Sequence, residues 1–357
     1  MNSTKKIGAT LASLGLLLTL SACGSRSKVE TSGKTDPAKS VAIVTDTGGI
    51  DDRSFNQSAW EGLQQWGKEH DLRKGIGGYE YIQSSDASDY TNNMNKAVQA
   101  NFHTIFGVGY KLATAVQSAA SLNPKTNFVI IDGVVPNMKN VASATFADNE
   151  AAYLAGIAAG YTTKTNKVGF IGGEEGEVID RFQAGFTAGV KQAAKQLHKK
   201  IKVDVQYAAS FSSPDKGKAI AANMYESGID IIYHAAGGTG AGVFQEAKSL
   251  NQSNPDKKVW VIGVDSDQSA EGEYKASNGK KECCTLTSTI KGVNEAVLQI
   301  SNDAWNNHFP GGKVLSFGLK DKGVSITRGE MTETTWKAVQ AAKQAVIDGK
   351  VSVPSKT

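Results

Sequence analysis

Short β-branched runs that alternate with helix-length amphipathic segments constrain this chain more than anything else in it. The runs Val41–Val44, Thr104–Val108 and Phe128–Ile131 are followed by Lys167–Ile171, Ile229–Tyr233 and Val259–Val264. They are nearly continuous in apolar residues, as strands covered on both faces are. Strands separated by helices predict parallel βαβ units. Between them, residues 54–68 place Phe55, Ala59, Leu63 and Trp66 on one helical face, with Asp52 positioned to cap its start. Further helices are predicted over 149–161, opened by Asp148 and Asn149, and over 178–195, carrying Phe182, Phe186 and Val190. The βαβαβ pattern occurs once before about residue 145 and again from Lys167 to Asp265. Two α/β lobes are therefore expected rather than one sheet, with no close sequence repeat between them.

In open parallel sheets ligands bind beyond the carboxyl ends of the strands, so the residues that follow each run are the candidates. After the first comes Asp46, then Gly48, Gly49, Asp51, Asp52, Arg53, Phe55 and Asn56; after the third come Asp132 and Gly133. The later runs are followed by Gly172-Gly173, by Gly237-Gly238-Thr239-Gly240, and by Asp265-Ser266-Asp267. Glycines let a backbone approach a ligand closely, and carboxylates accept hydrogen bonds from hydroxyls and N–H groups. Phe55, near a helix start, offers a flat stacking face. The pattern suits an uncharged, donor-rich ligand with a planar portion. It suits a phosphate poorly, since only Arg53 and Lys291 are basic near these motifs.

Several function classes are disfavoured. There is no G-x-x-x-x-G-K-[ST], no G-x-S-x-G and no H-E-x-x-H, and the glycines from Gly237 to Gly242 do not fit G-x-G-x-x-G. Asp51 and Asp52 read as a loop and helix cap before they read as an acid–base pair. The five histidines are scattered without metal-ligand spacing, and no metal or cofactor is expected. Cys283 and Cys284 are adjacent, a spacing that suits neither a disulfide nor a zinc site. With 39 basic against 35 acidic side chains the charge is close to balanced, and Lys195, Lys199 and Lys200 read as a solvated helix face. Nucleic acid, which demands clustered Lys and Arg, is not the expected partner.

The first residues set the address. Lys5 and Lys6 precede an almost unbroken apolar or small run from Ile7 to Leu20, closed by Ser21-Ala22-Cys23. This is the form of an export signal, shorter than the roughly 20 apolar residues of a membrane span. Leu20-Ser21-Ala22-Cys23 resembles the bacterial lipobox, which implies cleavage before Cys23 and acylation of its thiol. Residues 1–22 are then a lipoprotein signal peptide. Residues 23–40, rich in Ser, Lys, Thr and Gly, are too polar to offset the entropy of ordering and read as a tether.

The stretches Asp46–Asn56, Phe146–Gly156, Gly169–Gly173, Val261–Asp265 and Thr287–Lys291 carry a resemblance that spans roughly 39–350. The chain resembles the basic membrane protein family of lipoprotein receptors, whose best understood members are purine nucleoside receptors of ABC importers. That resemblance implies a type I periplasmic-binding fold: two Rossmann-like α/β lobes joined by crossing strands, with the ligand in the cleft. Lobe one is expected from 41–147 plus about 266–308, lobe two from 148–265 plus about 309–350, and a tail over 351–357. In nucleoside-binding relatives the purine lies between two aromatic rings, at positions that match Phe55 and Phe182. The base edge maps onto Asp46, Asn56 and Asp132; the ribose maps onto Asp265, Lys291 and the Gly237-Gly238 turn, with Gly238 in contact. Gly172–Glu177 is more acidic than the family's pattern.

The implied function is capture of a purine nucleoside such as adenosine, guanosine or inosine and its delivery to an ABC permease. The protein is expected to be monomeric, non-enzymatic and lipid-anchored on the extracytoplasmic face of a bacterial cell membrane. The residues taken alone also admit a sugar or other small ligand, or a nucleoside-acting surface enzyme.

Overall fold

The computed structural model describes residues 33–357; the expected signal peptide, Cys23 and most of the tether lie outside them. Lobe one opens with β1 (Val41–Thr45), α1 (Phe55–Glu69), β2 (Tyr79–Ile82), α2 (Asp89–Gln99), β3 (Thr104–Val108), α3 (Ala113–Leu122), β4 (Asn127–Ile131) and β5 (Val141–Phe146). Lobe two continues with α4 (Asp148–Thr162), β6 (Lys167–Gly172), α5 (Glu177–Gln196), β7 (Lys202–Tyr207), α6 (Pro214–Glu226), β8 (Ile231–Ala235), α7 (Gly240–Ser253) and β9 (Trp260–Gly263). A small antiparallel pair, β10 (Glu273–Lys275) and β11 (Lys281–Cys283), precedes β12 (Thr285–Lys291). The chain returns to lobe one for α8 (Val293–Trp305) and β13 (Val314–Phe317), then to lobe two for β14 (Val324–Ile326) and α9 (Glu333–Ile347).

Each lobe holds a six-stranded sheet, ordered β13-β5-β4-β3-β1-β2 and β14-β12-β9-β8-β6-β7. The first is parallel throughout; in the second only β14 runs antiparallel, against β12. Every residue of β1, β3 and β8 is buried, which is why those strands read as unbroken apolar runs. The start of α1 is capped as expected: Asp52 accepts from the N–H groups of Ser54, Asn56 and Gln57 at 2.9–3.1 Å. Helix α4 is alanine-rich for a packing reason. It is buried on all sides from Ala151 to Gly160, and a methyl placed on Gly156, Gly185 or Gly189 would lie 2.0–2.2 Å from backbone oxygens of the α4–α5 pair.

The lobes are divided at points different from those expected. β12 lies in the second sheet, between β9 and β14, and β13 lies in the first, beside β5. Nothing in the polar run Thr285-Leu286-Thr287-Ser288-Thr289 says which sheet receives it; its pairing partners decide. The chain thus crosses three times, at 147–148, 291–293 and 317–324. The crossings lie side by side: the Ala147 N–H donates to the Phe317 carbonyl at 2.8 Å and the Gly292 N–H to that of Gly323 at 2.9 Å. The tail is not free either, because Val351 and Val353 pack against the core and Asn149 donates to the Val353 carbonyl at 2.9 Å. Cys283 and Cys284 are free thiols.

Candidate functional site

Both sheets change winding direction between their third and second strands from the far edge, at β1/β3 in lobe one and at β6/β8 in lobe two. Such switch points open crevices at the carboxyl ends of the strands. The loops leaving all four strands meet at one cavity. β1 contributes Asp46 and Gly48, β3 contributes Gly109 and Tyr110, β8 ends at Ala235 beside Gly237, and β6 leads to Val178, Ile179 and Phe182 of α5. Asp52, Phe55, Asn56, Asp132, Phe211, Val264, Asp265 and Lys291 complete the wall. The space unfilled by protein atoms, open mouth included, is about 530 Å³.

The wall is acidic. Asp46 Oδ1 accepts from the Gly48 N–H at 2.9 Å and from Asn56 Nδ2 at 2.7 Å. Burial still outweighs these bonds and pushes the Asp46 carboxyl up to about 6. Asp265 is pushed up to about 7, again by burial, against the opposing pull of Lys291 and the Ser54 hydroxyl; that hydroxyl donates to Asp265 Oδ2 at 2.6 Å. Asp132 and Asp265 end their strands at φ 64 and 66, in the left-handed region that Asp tolerates better than most residues. The backbone turns there, where strand gives way to loop. Asn56 Oδ1, Asp132 Oδ1 and the Tyr110 hydroxyl are buried without a hydrogen-bond partner among the described residues. Leaving such a group unpaired costs roughly 1–3 kcal/mol, so this wall favours a ligand that brings hydrogen-bond donors.

Lys291 anchors the floor of the cavity next to the second crossing. It forms an ion pair with Asp132 and another, at 3.0 Å, with Asp148. Asp148 also receives Arg181 at 3.0 and 3.2 Å. Burial alone would lower the Lys291 pKa; Asp132, Asp148 and Asp265 overcome it and hold the ammonium above its ordinary value. The ammonium also lies 5.2 Å from the ring centre of Phe55, 5.1 Å from Phe146 and 5.4 Å from Phe182, within cation–π range. One lysine therefore ties together carboxylates and aromatic rings drawn from both lobes.

The family model described as "Bmp: ABC transporter substrate-binding protein PnrA-like" matches residues 39–357. The chain belongs to this family. Among Bmp relatives, the "ABC transporter nucleoside-binding protein BmpA" of Lactococcus lactis is 52% identical over 98% of this chain and 99% of its own. A "CD4+ T-cell-stimulating antigen" of Listeria innocua is 49% identical over 94% of each chain. Basic membrane protein A of Borreliella afzelii is 34% identical over 90% of this chain and 94% of its own. Among solved structures, an ABC transporter solute-binding protein of Aeropyrum pernix superposes with a TM-score of 0.76 at 22% identity, over 89% of this chain and 94% of the other. The fold is accordingly that of the periplasmic-binding-protein-like solute receptors, and this Bmp chain is an ABC transporter substrate-binding protein.

Of the residues singled out by sequence, Asp46, Phe55, Asn56, Asp132, Phe182, Asp265 and Lys291 all line the one cavity. Gly238 does not. Its neighbour Gly237, at φ 52, forms the wall, and Gly238 faces an outer groove with Asp51, Ser212 and Lys248. Sequence reasoning missed Tyr110, Phe211, Asp148 and Ser54. Tyr110 was findable, because it follows the end of β3, although that strand end carries no carboxylate or glycine pair to draw attention. Phe211 sits in a serine-rich loop with no such signal. Asp148 reads only as a helix-opening residue, and its ion pair with Lys291 depends on the crossing of the chain. Among the described residues no group of His, Cys, Asp and Glu could hold a metal ion, and no helix is long and apolar enough to cross a membrane.

Proposed function

We propose that this Bmp protein captures purine nucleosides in the interlobe cavity and delivers them to the permease of an ABC importer. One observation carries the reading: Phe55 from lobe one and Phe182 from lobe two line the same cavity as the half-buried carboxylate Asp46 and the buried carboxylates Asp132 and Asp265. Two aromatic side chains suit a planar base, and stacking adds about 0.5–1.5 kcal/mol beyond area burial. Carboxylates with accepting capacity to spare, Asp132 Oδ1 above all, suit ribose hydroxyls and base N–H groups. The name of the Lactococcus lactis relative supports a nucleoside. In this reading Asp46, Asn56 and Asp132 hold the base edge, and Asp265 and Lys291 hold the ribose. The chain binds without chemistry, as its substrate-binding relatives do. Cys23 is the lipid-attachment site, and residues 23–40 tether a monomeric receptor to the outer face of the membrane.

The site residues are tested by calorimetric titration of guanosine into Phe55→Ala and Asp265→Ala. Each loses about 10- to 100-fold in affinity, as expected when a stacking ring or a hydrogen-bonded buried carboxylate is removed. Wild-type affinity in both variants removes these residues from the site. Incubation of the wild type with guanosine, followed by chromatography for free guanine, separates capture from hydrolysis; no base is released.

A further inference from the structure

Two ion pairs flank the mouth of the cavity, and none of their four side chains is part of its wall. On one side Arg53, in the loop after β1, donates to both carboxylate oxygens of Glu271 at 2.6 and 2.7 Å. On the other, Lys111, just after β3, pairs with Glu174, just after β6, and its ammonium lies 5.5 Å from the ring centre of Phe211. In each pair the base belongs to lobe one and the acid to lobe two. Glu174 lies in the acidic Gly172–Glu177 stretch, for which the ligand wall has no use.

The Arg53 backbone strengthens the first contact. Its φ of 55 is uncommon for a bulky side chain. The Arg53 carbonyl oxygen accepts from Ser266 Oγ at 2.9 Å and Gln268 Nε2 at 3.1 Å, both in lobe two. Gln268 is itself fixed: its Oε1 accepts from the Val264 N–H at 2.9 Å and faces His234 Nε2 at 3.1 Å, while its own N–H donates to Ser288 Oγ at 3.0 Å. Parting the lobes would break the Arg53 and Lys111 contacts together and leave Gln268 in place.

We propose that Arg53 and Lys111 are positioning residues for ligand capture: paired with Glu271 and Glu174, they hold the lobes closed over the cavity, with or without ligand, and set how long a captured ligand stays. The choice of ligand in the test rests on the nucleoside reading; the latch does not. Interactions made only in the closed form shift the open–closed balance. They act on dissociation more than on encounter. Arg53 is 64% exposed and Lys111 27%, so both pairs weaken with salt.

The test is stopped-flow release of guanosine from K111E, E174K and K111E/E174K, and from R53E, E271R and R53E/E271R, each checked for cooperative unfolding. Each single reversal speeds release about 3- to 30-fold, and each double reversal returns it to within about threefold of wild type. Raising salt from ~0.05 M to ~0.5 M speeds wild-type release more than release from K111A/E174A. Single reversals that release like wild type, or double reversals as fast as the singles, overturn the latch. A wild type that binds no nucleoside removes only the capture reading. The latch is then decided by interlobe spin-label distances in the protein without added ligand. These lengthen in K111E and R53E if it holds, and identical distributions overturn it.

Discussion

Asp46, Asp52, Asp132 and Asp265 line a cavity whose one basic wall residue among those described is Lys291, with Asp148 paired behind it. Lys291 already has its two carboxylates, and no free cation lines the wall among the described residues. An added phosphate would therefore be buried against acids without a counter-charge. Guanosine 5′-monophosphate should bind at least about 100-fold more weakly than guanosine; equal affinity would contradict the charge argument. The same carboxylates make binding depend on pH. Burial raises Asp265 to about 7 and Asp46 to about 6, and ligand donors favour the ionised forms. Binding then lowers both values and releases protons. Affinity is full above about pH 7 and falls as the pH drops through 7 toward 6, by up to about tenfold per unit per carboxylate. Calorimetry in buffers of different ionisation enthalpy measures the protons released; proton uptake on binding would reverse the assignment.

At the scale of elements, Gly156, Gly185 and Gly189 let α4 and α5 touch backbone to backbone, and α4 opens with Asp148, the partner of Lys291. Gly189→Ala should cost about 1–3 kcal/mol of stability in urea unfolding, through overpacking; an unchanged midpoint would show that the pair can spread. What the sequence disclosed follows from the same local physics. Strands such as β1 and β3 were legible because both faces are buried, and the start of α1 because Asp52 has a cap's position. Asp46, Phe55, Asn56, Asp132 and Asp265 were legible as cavity-lining candidates because they follow strand ends, which a parallel sheet brings together; Phe182 and Lys291 came through the family resemblance. The sheet address of β12 and β13 was not legible, since hydrogen-bond partners distant in sequence decide it. Gly237 and Gly238 were indistinguishable until φ placed the first at the wall. The Asp148–Lys291 and Lys111–Glu174 pairs join residues 143 and 63 positions apart in the chain, and no local pattern announces either.

The whole molecule is two α/β lobes joined by three adjacent crossings, closed over an acidic, aromatic cavity, and preceded by a polar stretch with Cys23 at its start. In the proposed reading such a body captures its ligand by closing over it. Cys23→Ser should move the protein from the membrane fraction to the soluble fraction of cells without altering nucleoside affinity; a variant that stays on the membrane would mean that another contact holds it. The central claim is the ligand. The deciding measurement is isothermal titration of the body from Gly33 onward, unfolded and refolded to strip bound ligand, with adenosine, guanosine, inosine, cytidine, uridine and ribose. The account predicts one-to-one binding of the purine nucleosides, weaker binding of the pyrimidines and no heat from ribose. Silence toward all three purine nucleosides from a folded protein, or binding of ribose as tight as theirs, would contradict it.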